Sequence, residues 1–104
     1  MEMSFDYGAL DAALTAAVGD DQSLIAELRA AFLESAKRQV DLLGRARCDA
    51  NWEYAAWRLK GLAASFSATR ILQLAEEAAH SAPGDPVILR KLQQAVSAVE
   101  AHRD

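Results

Sequence analysis

Trp57, Lys60, Gly61 and Ala64 follow one another at offsets of three, four and seven residues, so a helix puts all four on one face. That face would carry an indole, an ammonium and a strip of nearly bare backbone. Arg58 adds a guanidinium beside the indole. The set holds no imidazole, thiol or carboxylate, and the indole nitrogen is a donor only. Its chemistry is that of contact. An aromatic anchor, two cations and a shallow floor suit the docking of another surface.

The residues better equipped for catalysis lie elsewhere. His80 is expected on the solvent face of a fourth helix, half a turn from Ile71 and grouped with Gln73, Glu76 and Glu77. His102 falls in a fraying C-terminal turn. Neither is expected to share a face with Lys60 and Gly61, and an acceptor must first satisfy geometry, so both read as surface histidines. Glu76 and Glu77 diverge on a helix and read as a solvated face, not an acid/base pair. Cys48, the lone cysteine, cannot close an internal disulfide, and no Cys/His cluster calls for a metal or cofactor.

Helices must position these groups. Twenty-three alanines against five glycines and two prolines favour helix strongly. A first segment is expected from about Asp6 to Val18, with Asp6 as N-cap and Phe5 closing on Leu10 as a hydrophobic staple. Its apolar stripe is Leu10, Ala13, Leu14, Ala17 and Val18. Gly19-Asp20-Asp21 breaks and re-caps the chain. The second helix, about Gln22 to Ala46, repeats Leu24, Ile25, Leu28, Phe32, Ala36, Val40 and Leu43 at spacings of three and four, with Gly44 as a weak point near its end.

The third helix, about Ala50 to Phe66, is capped by Asp49 or Asn51 and turns Trp52, Ala55, Leu59, Leu62 and Phe66 inward. The fourth runs from about Ala68 to Ala79 on Ile71, Leu74, Ala75 and Ala78. Ser81 to Asp85 is a turn, and Asp85-Pro86 sets a cap before a proline at the first helical position. The fifth helix buries Ile88, Leu89, Leu92, Val96 and Val99 and frays from Ala101 to Asp104.

Short links between consecutive helices imply antiparallel neighbours. The expected fold is all-α: an up-and-down antiparallel four-helix bundle, with the first segment as a short extra helix covering one end. Residues 1–104 form one domain, long enough for a core without staples. The balance of 52% apolar and 25% charged residues is that of an ordinary globular chain. The net charge of −4 argues against nucleic acid, because the basic residues are scattered. Their densest cluster, Arg45 and Arg47, also suits a helix C-terminus. No run approaches the ~20 apolar residues of a membrane span. Met1 to Phe5 has no basic start or apolar core, so a cytoplasmic protein without a secretory signal is expected.

Taking Leu59 as the centre of the inward seam, Trp57 falls roughly 160° away and faces solvent. Gly61 costs about 1 kcal/mol against alanine in a helix, and a close approach of something to the backbone would account for it. An exposed indole can also simply lie across its own helix and shield the stems of Arg58 and Lys60.

The run Ala56-Trp57-Arg58-Leu59-Lys60-Gly61, followed by Leu62-Ala63-Ala64-Ser65-Phe66, resembles the signature helix of the histidine-phosphotransfer (HPt) domain. The likeness extends from roughly Asp6 to His102, and its sharpest part is Leu59-Lys60-Gly61. The resemblance implies a frame that docks a receiver domain. Lys60 would match the lysine that neutralises a phosphohistidine, Gly61 the glycine that admits the receiver, and Ser65 a polar position framing the phosphate. Trp57 stands where that family carries its phosphoacceptor histidine, and indole has no lone pair to offer phosphorus. Ser67 stands where a glycine usually ends the motif helix, and Ala78-Ala79 where Leu-Glu is common. The implied function is non-enzymatic: a phosphotransfer-incompetent member that binds a receiver domain or a histidine kinase as an adaptor or competitor. The alternative is structural homodimerisation through the Trp57 face; across the two readings the free protein is expected to be a monomer or a weak homodimer.

Overall fold

The computed structural model describes the backbone of residues 2–101 and the side chains of residues 10–101. Five helices follow in order: α1 (Glu2–Val18), α2 (Gln22–Arg45), α3 (Asp49–Ser65), α4 (Thr69–Ala79) and α5 (Pro86–Ala101). No strand occurs among the described residues. The helix from Glu2 overruns Asp6, which is therefore an interior position and not the expected cap. The Phe5 staple falls outside the described side chains, and His102 and the expected fraying beyond Ala101 fall outside the described residues.

Each break has a local cause. Gly19 ends α1 with φ +76°, a conformation that glycine adopts without a Cβ clash. Asp21 Oδ1 then accepts the Leu24 amide at 3.1 Å and caps α2. That helix runs through Gly44 and stops at Arg45, one residue before the expected end, with Ala46 turned extended. At α3 the cap is Cys48, which makes no side-chain capping bond. Asp49, expected as a cap, is instead the first helical residue, where its carboxylate meets the positive end of the helix. Asp85 Oδ1 accepts the amides of Val87 and Ile88 at 2.9 and 3.4 Å and opens α5 as the sequence predicts.

The end of α3 is built on Ser67. Its φ of +57° is left-handed. The Ala68 amide donates to Ala63 O at 2.8 Å and the Ser67 amide to Ala64 O at 3.2 Å. Those two bonds make a Schellman motif with serine in the place usually given to glycine.

α3 packs against both α2 and α4, α5 packs against the same two helices, and α1 lies on α2 and α4. All five contribute to one core, with Leu10, Phe32, Trp52, Leu59, Ile71, Leu74 and Leu92 almost wholly buried. Trp52, 1% exposed, donates its indole N–H to Ala78 O at 2.6 Å and so ties α3 to α4. Phe32 and Phe66 meet at 5.0 Å between ring centres. Asp11 pairs with Arg29 across α1 and α2, and Glu100 with Lys37 across α5 and α2 at 2.5 Å.

The buried faces are wider than single stripes. On α2, Leu33 and Gln39 are buried beside Phe32 and Val40, while Leu24 in the first turn is exposed. On α3, Ala56 and Ala63 are buried, while Leu62 and Phe66 are only half-buried. Ala17 of α1 and Leu89 of α5 also fall short of burial. The cause is the number of neighbours. A helix wedged between two others can bury adjacent positions, one towards each partner, and a one-stripe reading misses some of them. No helix among the described residues is long and apolar enough to cross a membrane.

Candidate docking site

The exposed side of α3 is a ridge with a cleft on either flank. Buried Ala55 lines the cleft towards α2, and buried Ala56 lines the one towards α4. Trp57, the next residue, stands on this ridge 54% exposed, as the helical wheel predicts. Its ring leans over the α4 flank, where Trp57, Lys60, Gln73, Glu76, Glu77 and His80 line a cleft of about 420 Å³. Lys60 Nζ lies 4.5 Å from the Trp57 ring centre and 3.3 Å from Glu76 Oε2. The ammonium is thus held between a π face and a carboxylate.

Gly61, one turn on from Trp57, is exposed, and a Cβ built there meets nothing within 4 Å. Nothing inside the fold requires a glycine at that point. Ala64 and Ser65 continue the exposed surface, and Ser65 Oγ donates back to Gly61 O at 3.0 Å. That bond occupies the hydroxyl proton and leaves the oxygen lone pairs outward.

Arg58 goes to the other flank. Its guanidinium lies 5.5 Å from the Tyr54 ring centre, and Nη1 donates to Tyr54 Oη at 3.0 Å. Of the six residues singled out from sequence, Trp57 and Lys60 share one cleft, while Gly61, Ala64 and Ser65 are exposed further along α3. Arg58 belongs with Tyr54. Tyr54 is 63% exposed and was not among the expected site residues. Its signal was present in the spacing Tyr54 to Arg58, an i,i+4 pair that mirrors Trp57 to Lys60 at i,i+3.

His80 reaches the Trp57 cleft, against expectation. The wheel of α4 alone puts it apart from Lys60, yet it lines the Trp57 cleft together with Lys60. Because α4 packs along α3, the C-cap of one helix reaches the middle of the other, and no single-helix projection contains that information. The imidazole arrives with Glu76 and Glu77 in the same cleft. Two carboxylates against one ammonium make it a poor seat for a phosphoryl group, since like charges repel.

Among the described residues, no cluster of three or more His, Cys, Asp or Glu side chains could hold a metal ion. No protein-family model, curated protein or solved structure matches this chain.

Proposed function

We propose that this chain is an HPt-like helical domain that docks a signalling partner without transferring phosphate. The partner is a receiver domain or the dimerisation helices of a histidine kinase, and the chain acts on it in the cytoplasm as an adaptor or competitor. In this reading α2, α3, α4 and α5 form an up-and-down antiparallel four-helix bundle with α1 across one end. The cycle of contacts α2 to α3, α3 to α4, α4 to α5 and α5 to α2 supports it.

The observation that carries the reading is the pairing of a half-exposed Trp57 with a Gly61 that the fold itself does not need. Covering the exposed half of an indole of roughly 150–250 Å² yields about 2–3 kcal/mol at about 25 cal/mol per Å², before association costs. That gain suits a contact that outlives a transient phosphotransfer encounter. With an indole at the expected acceptor position, contact is the activity left to this surface.

The test is calorimetric titration against purified receiver and kinase domains from the source organism, with Trp57→Ala in parallel. A partner bound at about micromolar Kd or tighter, and weakened at least tenfold by the substitution, supports the reading. A concentration-dependent homodimer that dissociates on Trp57→Ala would replace it with self-association.

A further inference from the structure

The flank of α3 opposite Trp57 carries a second cleft, of about 530 Å³, between α2 and α3. That volume lies in the range of small-molecule sites. Three arginines reach it from separate turns: Arg38 and Arg45 of α2 and Arg58 of α3. No carboxylate lines it, although the chain as a whole carries a charge of −4. Arg45 is partly neutralised by Asp41 at 3.1 Å, and Arg58 is held by Tyr54. Arg38 makes no ion pair among the described residues. Positive charges gathered at one concavity attract an anion to it.

A second, independent observation comes from Gln39. It is the one buried polar residue among those described, 8% exposed, and its Oε1 accepts no hydrogen bond. Native folds rarely leave such a group unpaired. Gln39 lines this same cleft. The terminal torsion of glutamine is broad, and a bound molecule would give the amide the partner that the fold withholds. Leu42 and Tyr54, both exposed, complete the rim with an apolar and an aromatic surface.

We propose that the α2/α3 cleft binds a phosphate monoester with a flat, hydrogen-bonding ring, the chemistry of a nucleoside monophosphate. Guanidinium forks match phosphate oxygens bidentately, and a monoester carries close to two negative charges at neutral pH. The ring lies against Tyr54 and Leu42, and its polar edge pairs with the Gln39 amide. This site is independent of the Trp57 surface.

The experiment is calorimetric titration of the whole chain with the four ribonucleoside 5′-monophosphates, inorganic phosphate and adenosine. At least one monophosphate is expected to bind with a sub-millimolar Kd, and phosphate and adenosine at least tenfold more weakly. Arg38→Gln, an exposed substitution whose fold is checked by circular dichroism, should weaken the monophosphate at least tenfold. Gln39→Leu should weaken it severalfold, and Trp57→Ala should leave it unchanged. Silence from all four monophosphates, equal binding of adenosine, or full affinity in Arg38→Gln would each overturn the assignment.

Discussion

The ammonium of Lys60 rests 4.5 Å from the centre of the Trp57 ring, three residues along the same helix. Both groups are partly open to water, so the pair fixes the indole's attitude more than it stabilises the fold. An exposed cation–π contact contributes about 0.5–1 kcal/mol, and the Lys60–Glu76 ion pair about 0–1 kcal/mol.

Trp57→Ala and Lys60→Gln should therefore leave the free protein close to its native stability. Urea unfolding should place each within about 1 kcal/mol of wild type. A loss of 3 kcal/mol or more for Trp57→Ala would mean that the indole packs as core, and the docking surface would lose its anchor.

Gly61→Ala separates folding from binding. A Cβ there has open space, and alanine in a helix interior is worth about 1 kcal/mol over glycine. The variant should melt higher by several degrees, since about 1 kcal/mol corresponds to about 4–8 °C in a domain of this size. Its affinity for the docked partner should fall, because the added methyl stands where the partner's surface comes closest. Higher stability with unchanged affinity would remove Gly61 from the interface.

Ser67→Gly tests the end of α3. Serine in the left-handed region carries a penalty of about 1–2 kcal/mol that glycine avoids, offset in part by glycine's freer unfolded chain. A net gain of roughly 0.5–1 kcal/mol is expected in denaturant unfolding. Ser67→Val, with a β-branched side chain at φ +57°, should be clearly destabilised. Equal stability of all three would show that the left-handed turn is not held in solution.

Much of this frame is legible in the chain because its signals are local. The Asp21 and Asp85 caps, the Gly19 break and the four inward residues of α4 all follow from neighbours in sequence. Trp57's exposure follows from its offset to Leu59. What the wheel could not supply is what lies across from each helix. His80 shares a cleft with Lys60 only because α4 packs on α3, and Arg38, Arg45 and Arg58 line one cleft only because α2 packs there too. Gln39 is buried against the polar pattern for the same reason: α2 has three packed neighbours, and the arc they cover takes in a position that periodicity assigns to solvent.

The two tryptophans of α3 should part company in every stability measurement. Trp52 is sealed in the core and its N–H bonds to Ala78 O, a carbonyl that also accepts the Ser81 amide at 3.0 Å. Trp52→Ala opens a large cavity beneath α4 and should cost about 3–5 kcal/mol, a major fraction of the ~5–15 kcal/mol typical of a domain. Trp52→Phe keeps much of the apolar volume and loses the indole donor. Since Ser81 still satisfies the carbonyl, its cost should be smaller, about 1–2 kcal/mol. Acrylamide quenching in the single-tryptophan variants supplies the cross-check. With Trp57 replaced, the remaining fluorescence should resist quenching; with Trp52 replaced by Phe, it should be quenched readily. The reverse order would mean that α3 is rotated about its axis, and the Trp57 face would no longer be the one turned to a partner.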